Sequence, residues 1–188
     1  MTSEEMLVKR AQKGDERAFA EIVKLYQNAV YSSALYIAKN EEDALDISQE
    51  VFLKLWRTLE GFRGEASLKT WIAKITRTCA IDYVRARNQK SASSLTSDED
   101  EKAIEIIDTD TASNPQADYQ RREDIAAVRK AVAGLPSPTK EIIIMREFHS
   151  LSYAEIAKLL GVPEGTVKSR ISRGREELKE ILKRGNFF

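Results

Sequence analysis

Three sets of residues in this 188-residue chain have the types and spacing to do chemistry. Near the C-terminus, Gly165, Thr166, Ser169, Ser172 and Arg173 fall on one arc when the segment is wound at about 100° per residue, with Lys168 and Arg170 flanking them. Small and hydroxyl side chains let a helix approach base edges, and flanking cations meet phosphates, so the pattern suits nucleic-acid contact. A second stripe holds Thr70, Lys74, Arg77, Thr78, Ile81 and Arg85, within a stretch from Ser67 to Lys90 that has six basic residues and one acid. The third set has the opposite sign. Residues 41–60 carry six acids and two bases, and one arc presents Asp46, Gln49, Glu50 and Arg57 with Leu53 among them. One apolar side chain set among carboxylates and an amide can anchor a basic protein partner. Each pattern also fits a solvated helix face, and at this point both readings stand.

Bond-making chemistry has little to work with. The only cysteine is Cys79 and the only histidine is His149. No internal disulfide can form, and no four-ligand zinc site can be assembled from the pair. A Ser-His-Asp or Cys-His arrangement would have to run through His149, which lies at a helix end and is expected to cap carbonyls there. Cys79 falls among apolar positions and reads as a small buried hydrophobe. No enzyme, no cofactor and no metal are expected. Charged residues make up 32% of the chain and the apolar runs are short, which argues against a transmembrane span. The start, Met1-Thr2-Ser3-Glu4-Glu5, lacks the build of a signal peptide. The expectation is a soluble, cytoplasmic protein with no direct membrane insertion.

The formal net charge is zero, but it is not evenly spread. Residues 1–90 carry net +2, residues 91–124 net −7 and residues 125–188 net +5. The middle stretch is rich in Ser, Thr, Asp and Glu and includes Asn114-Pro115, a composition that cannot bury enough apolar surface to offset chain entropy. The expected organisation is a domain over 1–90, a flexible acidic linker over 91–118 and a second small domain over 119–188.

Apolar residues recur at three- and four-residue spacing and no segment alternates with period two, so the fold class is all-α: two small helical domains. Asp15 is placed to cap a helix running to about Ala38. Another helix spans about Glu42 to Leu59, with Gly61 and Gly64 marking a loop. Ser67 caps a helix to about Arg87, on which Leu68, Trp71, Ile72, Ile75, Cys79 and Tyr83 share an apolar arc. Helices near Tyr119–Ala133 and Thr139–Glu147 follow. Ser152 and Glu155 form a capping box for a short helix ending at Leu160 before Gly161, and Pro163 opens the last helix, to about Lys183. Short helix, glycine turn and longer basic helix make a helix-turn-helix pattern. Gly174 lies on the apolar arc of the last helix with Val167, Ile171, Leu178, Ile181 and Leu182. A glycine there costs about 1 kcal/mol relative to alanine, so it marks a close helix crossing.

The run Asp43-Ala44-Leu45-Asp46-Ile47-Ser48-Gln49-Glu50-Val51-Phe52, followed by Trp71-Ile72-Ala73-Lys74-Ile75 and Ile81-Asp82-Tyr83-Val84-Arg85, resembles the sigma-two domain of an extracytoplasmic-function (ECF) sigma factor of the sigma-70 family. Leu135-Pro136, Glu155-Ile156-Ala157, Gly165-Thr166-Val167-Lys168-Ser169-Arg170 and Arg173-Gly174-Arg175 resemble its sigma-four domain. The resemblance implies a subunit that joins core RNA polymerase and directs it to promoter DNA. It implies that Asp46, Gln49, Glu50 and Leu53 dock on the clamp helices of the largest polymerase subunit. It places Leu68, Lys69, Lys74, Arg77, Thr78, Ile81 and Arg85 at the −10 element, and has the helix Ser67–Arg87, with the loop Phe62–Ser67 before it, open that element and hold a flipped non-template base. It places Glu164, Gly165, Thr166, Lys168, Ser169, Arg170 and Arg173 at the −35 element. Many members of the family are held inactive by an anti-sigma factor, often membrane-anchored. This chain departs from the common pattern at Thr76, Thr78 and Cys79, at Lys140 where Arg is more usual, and at Gly174 where Ala is common. The competing reading is a helix-turn-helix regulator that binds an operator by itself as a dimer. It needs a dimer interface, the chain has no heptad segment to supply one, and it leaves the acidic helix unexplained.

Overall fold

The structure is a computed structural model that describes residues 2–93, 128 and 130–184. Most of the expected acidic linker, 94–118, and the expected helix start at Tyr119 lie outside the described residues. Every described element is helical, and the chain divides into two units.

The first unit contains four helices. Helix α1 spans Ser3–Ala11, α2 Glu16–Ala38, α3 Glu41–Thr58 and α4 Leu68–Ser93, with a 3-10 turn over Leu59–Gly61 between the last two. Their boundaries follow from local chemistry. The Asp15 carboxylate accepts the Ala18 N–H at 3.0 Å and starts α2, and Lys39 ends it in the left-handed conformation. Asn40 accepts the Asp43 N–H at 2.8 Å and starts α3. These bonds satisfy amides that the first helical turn leaves without partners. The sequence reading draws no boundaries for α1, although Thr2 and Glu5 form the same reciprocal capping box as Ser152 and Glu155. Helix α4 outruns its expected end at Arg87 and takes in the first three residues of the expected linker. Nothing in Ala86–Ser93 breaks a helix, since the stretch has neither Gly nor Pro.

Helix α2 packs against α1, α3 and α4, and α3 packs against α4. Ile22, Val30, Ile47, Val51, Leu55, Leu59, Leu68 and Ile72 are almost wholly buried in this bundle. Cys79 is buried too, and burial pushes its thiol up, as expected of a core residue rather than a reactive one.

His149 departs from expectation. It belongs to the first unit with the short segment Glu147–Leu151, it is 5% exposed, and it caps no carbonyl. Its Nε2 lies 2.8 Å from the Ser33 hydroxyl, which itself donates to the Ala29 carbonyl at 2.7 Å. With that hydroxyl proton committed, Nε2–H is the donor, and Nδ1, buried with no hydrogen-bond partner, disfavours the second N–H of a charged ring. Burial agrees, pushing the imidazole down to about 4.

The second unit contains helical backbone at 130–134, then α5 Ser137–Glu147, α6 Tyr153–Leu160 and α7 Glu164–Arg184. Helix α5 begins two residues before its expected start, and the Pro136 carbonyl accepts the first amides, from Thr139 and Lys140. Lys140 puts its ammonium on the Ala133 carbonyl at 2.6 Å, giving this position a C-terminal capping role for the preceding helical stretch. Ser152 and Glu155 form the expected box, and Gly161 ends α6 at φ 66°. Pro163 stands just before the first helical residue of α7, and its carbonyl accepts from Thr166 and Val167. Ile142, Ile143, Ile156, Val167 and Ile171 fill the core.

Gly174 is the close crossing that the sequence implies. A Cβ built there meets Thr139 Cγ2 at 2.6 Å and Ile143 Cγ1 at 3.1 Å. Gly174→Ala therefore sets a helix-propensity gain of about 1 kcal/mol against a clash between two packed helices. We expect Gly174→Ala to lower the melting temperature and Thr139→Ser in the same chain to restore part of the loss. An equal or higher melting temperature for the single variant would contradict the close crossing.

Candidate nucleic-acid and partner interfaces

Helix α3 has two faces because its apolar residues recur at helical spacing. Ala44, Ile47, Val51 and Leu55 are buried, while Asp46, Gln49 and Glu50 are exposed and Leu53 is 49% exposed. Glu41, Glu42 and Asp43 sit in the first turn, where the helix dipole favours negative charge. The structure adds two residues that the sequence reading does not single out. Leu45 is 51% exposed and Trp56 36% exposed. At helical spacing, Leu45, Trp56, Gln49 and Leu53 run side by side into Asp46 and Glu50. The surface is thus an apolar strip with an acidic border, and its helical periodicity was available in the sequence. Trp56 is held by an edge contact with Phe19, ring centroids 4.7 Å apart.

Asp43 joins this helix to α4. Its carboxylate accepts from the Asn40 amide at 2.6 Å, from the Tyr83 hydroxyl and from Arg87 Nη1 at 3.0 Å. The Tyr83 phenol is pushed up to about 12, mainly by its bond to Asp43, then by burial and by the charges of Asp43 and Asp46.

On α4 the expected nucleic-acid residues divide. Lys74 and Arg85 are exposed, and Arg77, Thr78 and Ile81 are partly exposed along the same stripe. Lys69 is half-buried and donates to the Ser150 carbonyl at 3.1 Å. Leu68 is only 2% exposed, so here it serves the core and not the surface. Thr70, placed on the polar stripe by spacing alone, is 8% exposed, with its hydroxyl 2.7 Å from Ser67 Oγ. Both lie in the first turn of α4, where the apolar arc of Leu68, Ile72 and Ile75 accounts for Leu68 but not for Thr70. The loop that leads into α4 leaves Phe62 stacked on Trp71, centroids 4.8 Å apart, and turns through Gly64 at φ 73°. Arg63 to Ser67 are exposed.

Helix α7 matches its expected division. Val167, Ile171 and Gly174 are buried, and Leu178, Ile181 and Leu182 are partly covered. Glu164, Gly165, Lys168, Ser169, Ser172 and Arg173 are exposed, and Thr166 and Arg170 are partly exposed. The Ser169 hydroxyl donates to the Thr166 carbonyl at 3.0 Å. Among the described residues no cluster of metal-binding side chains occurs, and no helix is long and apolar enough to cross a membrane.

Comparison with known proteins gives both units a relation. Residues 22–90 match the family described as sigma-70 region 2, and residues 125–178 match sigma-70, region 4. The chain is 33% identical over 183 residues to the RNA polymerase sigma-H factor of Pseudomonas aeruginosa, covering 95% of this chain and 93% of that one. It is 35% identical over 183 residues to the ECF RNA polymerase sigma-E factor of Escherichia coli K12, covering 94% and 92%. The sigma factor RpoE of Bartonella quintana, solved with the anti-sigma factor NepR, aligns at a TM-score of 0.70 with 25% identity over 88% of this chain and 96% of that one. CnrH, solved with the cytosolic domain of CnrY, aligns at 0.67 with 22% identity over 97% and 98%, a likeness of fold. With both regions in order and relatives matched over nearly their full length, the chain belongs to the ECF sigma factors of the sigma-70 family.

Proposed function

We propose that this protein is an alternative sigma factor that binds core RNA polymerase and directs it to its own set of promoters, with the acidic face of α3 as the docking surface. The observation that carries the reading is the pairing of two exposed surfaces of opposite sign within the first unit. Asp46, Glu50, Gln49 and Leu53, with Leu45 and Trp56 beside them, form a face suited to a basic protein helix. Lys74, Arg77, Thr78, Ile81 and Arg85 form a stripe suited to a strand near −10, where backbone contacts help offset the few kcal/mol of unstacking a flipped base. Lys69 and the loop Phe62–Ser67 complete that surface, and Leu68 supports it from within. Helix α7 reads the −35 duplex: Gly165, Thr166, Ser169 and Arg173 approach bases, Lys168 and Arg170 meet phosphates, and Glu164 stands at the helix start.

The protein has no catalytic step of its own. It selects and opens the promoter, and the polymerase makes the bonds. Its place of work is the cytoplasm, with core polymerase and DNA. A zero net charge limits non-specific binding of the free protein to DNA, since that binding scales with the number of phosphates neutralised. The related sigma factor from Bartonella quintana solved with NepR supports an anti-sigma partner for this chain as well. A membrane-anchored anti-sigma partner would hold the protein at the membrane.

Three outcomes are expected. Asp46→Arg with Glu50→Arg abolishes co-purification with core polymerase while circular dichroism stays helical, and undiminished binding would overturn the docking face. In binding titrations on a −35 duplex, Lys168→Ala lowers affinity and reduces the salt slope by about one. Lys74→Ala with Arg77→Ala instead reduces promoter opening and leaves −35 affinity in place. Equal loss in both assays for either set would contradict this division of labour.

A further inference from the structure

The loop Phe62–Ser67 is exposed over Arg63–Ser67 and turns through a glycine at positive φ, yet its position decides which strand atoms it can meet. Something must hold its ends. At the exit, Ser67 Oγ accepts the Thr70 N–H at 3.3 Å and lies 2.7 Å from the Thr70 hydroxyl, the ordinary start of a helix. At the entrance, the holding group comes from a different helix. Gln12, the residue that closes α1, donates from one amide nitrogen to two carbonyls, Leu59 at 3.1 Å and Phe62 at 2.8 Å. These carbonyls bracket the 3-10 turn between α3 and the loop. The Leu59 carbonyl also accepts the Phe62 N–H at 3.0 Å, so three bonds converge on two oxygens. The Phe62 ring then stacks on Trp71 in the first turns of α4.

We infer that Gln12 is a positioning residue for promoter recognition: from the end of α1 it sets where the loop Phe62–Ser67 leaves the helical bundle. The residue lies outside the stretch, 22–90, that matches sigma-70 region 2. An amide suits the task because one nitrogen carries two hydrogens and can serve two carbonyls at once. No other side chain of α1 is in reach of either oxygen among the bonds described. Gln12 touches no nucleic acid. It acts through the backbone at 59 and 62, so its loss changes the loop's ensemble of positions and not the charge of the surface.

The inference rests on the reading of that loop as the −10 contact, and the test separates the two. A duplex pool randomised across both promoter elements is transcribed by core polymerase with wild-type protein, Gln12→Met or Gln12→Lys, and the enriched templates are sequenced. Methionine keeps the length and bulk but donates nothing, whereas the lysine ammonium can donate to both carbonyls again. The expected result is that Gln12→Met keeps core binding and −35 preference and loses roughly tenfold in −10 base preference, the scale of two ordinary hydrogen bonds. Gln12→Lys recovers most of that preference. If −10 preference is unchanged in Gln12→Met, or if both elements weaken together with a fall in melting temperature, Gln12 is only a structural residue and the inference is overturned. If Gln12→Lys fails to recover the preference, donation to the two carbonyls is not the cause and the inference is likewise overturned. If wild-type protein enriches no −10 element, the reading of the loop itself fails.

Discussion

The first unit depends on one constraint: an acidic helix and a basic helix must pack together on their apolar sides while keeping their charged sides apart and exposed. Helix α3 buries Ala44, Ile47, Val51 and Leu55, and α4 buries Leu68, Ile72, Ile75 and Cys79. Burial at these positions leaves Asp46 and Glu50 exposed on one helix and Lys74 and Arg85 exposed on the other. One attraction between the two helices centres on Asp43. Asp43 takes hydrogen bonds from Tyr83 and Arg87 of α4 and from its own Asn40 cap. That carboxylate, with its side chain 17% exposed, ties the start of α3 to the later turns of α4. The short distance along the chain between α3 and α4 then gathers acidic face, loop and basic stripe into one small bundle.

A zero net charge has a structural meaning in this setting. The positive ends and negative middle of the chain cancel, and the acidic and basic helices of the first unit partly offset each other. A strongly cationic chain would be drawn to any duplex through counterion release. A neutral one with local stripes gains useful DNA affinity chiefly when a partner holds those stripes in register against the promoter. The second unit serves the same end: Gly174 lets α7 approach Thr139 and Ile143 closely, and that packing fixes which arc of α7 faces outward.

Signals that act over three or four residues were legible in the sequence. Asp15, the Ser152–Glu155 box, Gly161 and the apolar arc of α7 predict what the structure has, because each cap or periodic face is set by neighbours along the chain. The close approach at Gly174 was legible as well, since a glycine inside a helix needs a packing reason. Features set by distant residues were not. Thr70 falls on the polar stripe by spacing yet is 8% exposed, and His149 meets Ser33, 116 positions away in the chain. The bond from Gln12 spans 47 and 50 positions to its two carbonyls, beyond any periodicity. Leu45 and Trp56 lay within reach of a helical-wheel argument, yet an apolar residue on such a wheel reads as core until burial is known.

The most direct test of the account is run-off transcription from genomic fragments with purified core polymerase. The account predicts discrete transcripts when this protein is added and none of them with core polymerase alone. The contradicting result would be an unchanged transcript pattern together with tight, sequence-specific binding of the free protein to intact duplex. That is the behaviour of an operator-binding regulator, which has no need of the acidic face on α3.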